Sequence, residues 1–153
     1  MTRKLLFLSL LLSLAACVRN PVTGKRQLSL ISTQDEIAIG QQAAKDVQQS
    51  IGLLNNPQAQ QYVANVGMPM ARKSERPELP WSFQVVDDPT VNAFALPGGP
   101  IFATRGLLTH LNSEAELAAV LGHEIGHVTA RHSASQISKA QLAQLGLGVG
   151  MII

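Results

Sequence analysis

Residues 113–132, SEAELAAVLGHEIGHVTARH, decide how this chain is read. Leu117, Val120, Leu121, Ile125 and Val128 recur at three- and four-residue spacing, the period of a helix with a broad buried surface. Ser113, with Glu116 three residues on, forms a capping box, and Glu114 suits the positive end of the helix dipole. Inside this helix His123 and His127 stand four residues apart, about 40° around the axis, so two imidazoles converge on one point. Glu124 follows the first histidine directly. In His-Glu-x-x-His the two histidines hold a zinc ion and the glutamate takes a proton from water beside it. The pattern therefore predicts His123 and His127 as metal ligands and Glu124 as the catalytic base. A helix with two solvated histidines would show the same letters. The cap, the apolar stripe and the segments before the helix argue against that plainer reading.

Those segments alternate as strands do. Trp81, Phe83 and Val85 face one way between Ser82 and Gln84. Residues 91–96 and 101–104 are two further strand candidates, separated by the turn-forming Pro97-Gly98-Gly99-Pro100. Turns this short cannot make parallel crossovers, so a small antiparallel sheet is expected. Residues 106–111 are short and apolar and suit a small helix beneath the site. Further upstream, Thr33 and Glu36 read as a capping box for a helix with its stripe on Ile37, Gly40, Ala44, Val47 and Ile51, closed by Gly52. Asn56-Pro57 starts another, with Tyr62, Val63, Val66 and Met70 inward and a kink expected at Pro69. The polar residues 72–80 read as a loop. The fold class is α+β, mostly helical, with a small sheet preceding the metal-binding helix, which is the zincin order.

Two blocks carry a more specific resemblance. NAFALPGGPIFATRGLL, residues 92–108, followed by ELAAVLGHEIGHVTARH, residues 116–132, resembles the membrane-associated zinc metallopeptidases of the CAAX prenyl protease type. The bacterial periplasmic lipoproteins of that family are the most similar, alongside the beta-barrel assembly-enhancing protease, and NPVTGKRQLSLIS resembles their leader. The resemblance implies one zinc ion held by His123 and His127, with Glu124 as base, and a protein or peptide substrate. It also implies a substrate strand laid along residues 91–96 or 101–104. The family's third zinc ligand is a glutamate on a later helix, and here Glu124 is the last acidic residue. His132 lies five residues past His127, about 500° round a continuous helix, so it points away and reads as structural or supporting rather than as a ligand. His110 reads as a loop histidine.

The N-terminus reads as an address. Arg3 and Lys4 precede ten mainly apolar residues, 5–14, too few to span a bilayer, which takes about 20. Leu14-Ala15-Ala16-Cys17 then resembles a bacterial lipobox, which makes Cys17, the sole cysteine, the lipidated residue. An ordinary signal peptide with an incidental cysteine is the alternative. The expected layout is a lipoprotein signal peptide over 1–16, a lipidated tether over 17–31, and the N-terminal part of a zinc metallopeptidase domain over 32–153. Val18 after the cysteine favours an outer membrane lipoprotein facing the periplasm, so one expected partner is the membrane.

Composition narrows the classes further. Removing Arg3 and Lys4 brings the 12 basic residues level with the 10 acidic ones, so the formal charge of +2 is no nucleic-acid footprint. Aromatics are 4% of the chain, and the core must rest on aliphatic residues. Two accounts of the missing carboxylate compete. One is an N-terminal piece of a longer enzyme, which the uncapped apolar residues 145–153 favour. The other is a catalytically incomplete envelope lipoprotein that binds unfolded or assembling proteins.

Overall fold

The structure, a computed structural model, describes residues 17–22 and 24–144. The expected signal peptide and the apolar residues 145–153 lie outside them. Helix α1 spans Thr33–Ser50. Its cap is Ser32, one residue earlier than the sequence reading placed it. The Ser32 hydroxyl accepts from the Asp35 N–H, and the Asp35 carboxylate accepts from the Ser32 hydroxyl and N–H. Those bonds, the hydroxyl's first, hold the Asp35 carboxyl below its ordinary range. The one-residue shift releases Glu36 from the cap and turns it inward, where it is only 1% exposed. Gly52, at a left-handed φ of 88°, follows the helix as expected.

Helix α2 spans Pro57–Ala71, capped by Asn56, whose side chain accepts from the Ala59 N–H. Pro69 lies in its last turn and the helix runs on to Ala71. Val63 is buried, whereas Tyr62, expected inside, is 43% exposed.

Strands β3 (Ser82–Val86), β4 (Ala93–Ala95) and β5 (Pro100–Thr104) form one sheet in the order β3-β5-β4. Two further strands, β1 (Cys17–Arg19) and β2 (Arg26–Leu28), pair antiparallel as a separate hairpin. The β4–β5 pair is antiparallel, as its tight turn demands, and Phe94 stacks on Phe102 across it with ring centroids 5.3 Å apart. The β3–β5 pair is parallel, with Ser82 opposite Pro100 and Val86 opposite Thr104. The expectation of a purely antiparallel sheet is thus corrected to a mixed one. Its physical reason is burial. Every residue of β5 is buried, so β5 takes the centre, and β4 with its two turns serves as the crossover that leaves β3 and β5 running the same way. Pro100, read as part of the turn, is the first residue of β5, a place where a missing N–H is tolerated. The 97–99 turn is pressed onto α1. A Cβ at Gly40 would meet the Pro97 carbonyl oxygen at 1.7 Å, and Gly98 has φ 75°.

Helix α3 (Arg105–His110) is capped by the Thr104 hydroxyl, and its Leu107 is buried. Helix α4 (Glu114–Thr129) follows, capped by Ser113. The Glu116 carboxylate accepts from the Asn112 N–H rather than from that of Ser113. Leu117, Leu121, Ile125 and Val128 of α4 join Val63, Phe83, Val85 and Ile101 in one core. At about 25 cal/mol per Å², each such large side chain contributes on the order of 1.5–3 kcal/mol. The chain ends its described course in α5 (His132–Gln144). Asn20 and Leu30, within the expected tether, bond to this end of the molecule. The Asn20 side-chain amide donates to the Ala130 carbonyl at 2.9 Å, and the Leu30 N–H donates to Ser138 Oγ at 2.9 Å. Among the described residues, no helix is long and apolar enough to cross a membrane.

Candidate metal centre

His123 and His127 lie on a flank of α4 away from its core-facing stripe, and Glu124, three residues from Leu121 and four from Val128, lies beside that stripe. His123 is exposed, and Glu124 and His127 are half-buried. One potential ligand atom from each lies within 4.8 Å of the others. The Nε2 atoms of His123 and His127 are 2.9 Å apart, their rings edge to face with centroids at 4.5 Å. Two nitrogens bound to one tetrahedral zinc at about 2.0–2.1 Å lie about 3.3 Å apart. The pair is therefore close to the spacing a single ion needs and requires only a small opening. Two borderline-soft imidazole donors with a carboxylate beside them are a chemistry that suits zinc. The geometry brings together the three residues the sequence singled out.

Catalytic zinc normally takes three protein ligands. Among the described residues, no further His, Cys, Asp or Glu joins this group, and no acidic residue follows Glu124 in the sequence. His110 ends α3 with its Nδ1 2.8 Å from the Gly106 carbonyl oxygen, consistent with a structural histidine. His132 departs from its reading. It was expected to point away from His127, yet the two Nδ1 atoms are 2.7 Å apart. Helix α4 stops at Thr129, and Arg131 has φ 55°, so the continuous-helix geometry behind that expectation does not hold.

The strands decide where an extended chain can lie. Strand β5 is paired on both sides, which removes residues 101–104 as a docking edge. The outer edge of β3 is covered: Leu53 bridges to Val86, and the Gln60 side chain bonds both the N–H and the carbonyl of Val85. Strand β4 is the other edge, and it packs against α4. A cavity lined by Tyr62, Leu108, Leu111 and Glu114 sits at the start of α4. Its lining reaches Leu117, six residues or about 9 Å along the helix before His123, and includes none of His123, Glu124 and His127. Partial burial, and then the Glu114 carboxylate, raise the Tyr62 phenol above its ordinary value there.

Behind α4 is a cluster that sequence reasoning missed. The Glu36 carboxylate accepts two bonds from Arg76, Nη1 to Oε1 and Nη2 to Oε2, both at 3.0 Å, and one from Arg131 Nε, also at 3.0 Å. Arg76 Nη1 also donates to the Val128 carbonyl, and Arg131 Nη2 to that of Ile31. Both arginines are 6% exposed. Their partners lie 40 and 95 residues away in the chain, so no local spacing could have signalled the cluster.

A histidine pair and a glutamate on a packed helix beside an edge strand define a metallopeptidase-type centre. The chain belongs to peptidase family M48, whose family profile matches residues 57–152. It is similar to the mitochondrial metalloendopeptidase OMA1 of Schizosaccharomyces pombe, 37% identical over 121 residues, covering 77% of this chain and 36% of that protein. It is also similar to the beta-barrel assembly-enhancing protease of Escherichia coli, 31% identical over 121 residues, covering 79% of this chain and 25% of that protein. The Arabidopsis thaliana OMA1 is 52% identical over 61 residues, 40% of this chain and 13% of that protein. The chain thus spans about a third or less of the length of these relatives.

Proposed function

We propose that this chain carries the metal-binding helix of a zinc-dependent endopeptidase that hydrolyses peptide bonds in envelope protein quality control. The observation that carries the reading is the convergence of His123, Glu124 and His127 on one point. His123 and His127 would hold the ion, their Nε2 atoms facing one another. When bound, zinc lowers the pKa of water and polarises a carbonyl oxygen. Glu124 takes the proton of the attacking water and returns it to the leaving amine. Strand β4 offers its free edge to an extended peptide, whose main chain it can pair with before cleavage. The quality-control role rests on analogy with the family alone; the similar Escherichia coli protein is named for enhancing beta-barrel assembly.

Glu124→Gln, made in the protein carried to its natural C-terminus, tests the reading. It should leave zinc binding intact and lower cleavage of a denatured, fluorophore-labelled protein by about a hundred- to ten-thousandfold. Unchanged cleavage would remove Glu124 as the base. The same reading takes Cys17 as a lipidated residue after a signal peptide over 1–16, facing the periplasm from the outer membrane. Cys17→Ser should move the protein from the membrane fraction to the soluble one, and a variant that stays with the membrane would refute the anchor.

The two-imidazole donor set favours a second reading, an envelope protein that binds unfolded chains without cleaving them. Metal analysis separates the two: stoichiometric zinc supports the peptidase, and its absence supports the binder.

A further inference from the structure

A helix that continued past His127 would carry His132 to its far side. Instead α4 ends, Arg131 adopts φ 55°, and α5 starts at His132. The left-handed residue reverses the course of the chain and folds His132 back onto the outer face of His127, with ring centroids 4.9 Å apart and the planes at 61°. This position usually belongs to glycine, because a side chain there costs roughly 1–2 kcal/mol. An arginine holds it here, and the reason is its side chain. The Arg131 guanidinium is buried, bonded to Glu36 and to the Ile31 carbonyl. Glycine would take the turn without strain but would leave it untied. Two neighbouring carbonyls at this helix end are also held, Val128 by Arg76 and Ala130 by Asn20. The turn that presents His132 is therefore fixed from behind.

We propose that His132 is a positioning residue, whose Nδ1 accepts the Nδ1–H of His127 and so fixes His127 in the tautomer that turns the Nε2 lone pair toward His123. The inference rests on the reading of His127 as a metal ligand. Two ring nitrogens 2.7 Å apart share one proton, so one ring donates and the other accepts. The Nε2 of His127 faces the Nε2 of His123 at 2.9 Å, so in the metal-free chain this pair also shares one proton, which His123 donates, leaving the His127 Nε2 lone pair available to an ion. The His127 proton then belongs on Nδ1, and His132 receives it with its own hydrogen on Nε2. A partner on the far nitrogen of a ligating histidine sets both tautomer and ring orientation.

The test reads the tautomer directly, by nitrogen-15 NMR of the histidine rings in the full metal-free chain, together with zinc affinity by chelator competition. The wild-type chain should show His127 protonated at Nδ1. His132→Ala should move that ring toward a mixture of tautomers and weaken zinc binding by about 10- to 100-fold. His132→Asn, whose side-chain oxygen occupies the place of the imidazole Nδ1, should restore both. A His127 already protonated at Nε2 in the wild type overturns the proposal. So does a His132→Ala chain with unchanged ring signals and zinc affinity. Because the tautomer is read without metal, a wild-type chain with the expected tautomer but no zinc would sink the metal reading and leave His132 in its role.

Discussion

Two polar clusters lie along helix α4, one on its surface and one at its C-terminal end, and they are built on contrary principles. His123 is exposed and Glu124 and His127 are half-buried; the three are close in sequence and are joined by few bonds. Glu36, Arg76 and Arg131 are sealed in the interior, come from three distant parts of the chain and satisfy one another with 3.0 Å bonds. The first can exchange protons, water and a ligand because it is open. The second cannot, and its value lies in the elements it joins: α1, the 72–80 segment and the end of α4. The difference teaches that an open site needs a closed support. A helix whose working face makes few contacts must be held by its other face and its ends.

The sharpest way to break this comparison is to damage each cluster in turn. Glu36→Gln leaves two buried guanidinium groups without their carboxylate and should destabilise the protein by about 3–5 kcal/mol. His123→Ala should abolish zinc binding yet change the stability of the metal-free protein by no more than about 0.5 kcal/mol, as exposed substitutions do. Thermal melts of the two variants check both arms. A Glu36→Gln protein that melts with the wild type would show that the buried cluster supports nothing.

A smaller effect tests the far end of the support, the cap of α1 that turns Glu36 inward. Ser32→Ala should cost about 1 kcal/mol. The cap also carries an acid dependence. Asp35 is held below its ordinary value of 3.8, so its contribution is complete above that value and is lost as pH falls through the lowered one. In Ser32→Ala the loss of stability on acidification should be shallower than in wild type, read from urea midpoints between neutral pH and pH about 3. A Ser32→Ala curve parallel to that of wild type would uncouple the cap from Asp35.

Much of this was open to reading from the sequence. An i,i+4 pair is a local relation, fixed by helical geometry as soon as the helix is recognised, and so His123, Glu124 and His127 were legible. The Asn56 cap and the β4–β5 turn were legible for the same reason. The one-residue slip from Thr33 to Ser32 shows the limit of cap reading, since adjacent Ser and Thr offer the same hydroxyl and Asp35 and Glu36 the same carboxylate. The sheet went astray because turn length fixes which strands are neighbours in sequence, not which one burial draws to the centre.

What the sequence determined by itself was the chemistry: two imidazoles and a carboxylate on one helix, beside strands and turns of recognisable type. The tertiary structure alone decided three further things. It made β4 an edge strand beside α4, because β5 buries every residue and takes the centre and β3 is covered by residues 53–54 and Gln60. It gathered Glu36, Arg76 and Arg131 into one cluster, because charged groups leaving water must find opposite charge wherever the chain brings it. And it returned His132 to His127, because one left-handed residue cancels the 500° of helix that the sequence spacing assumed.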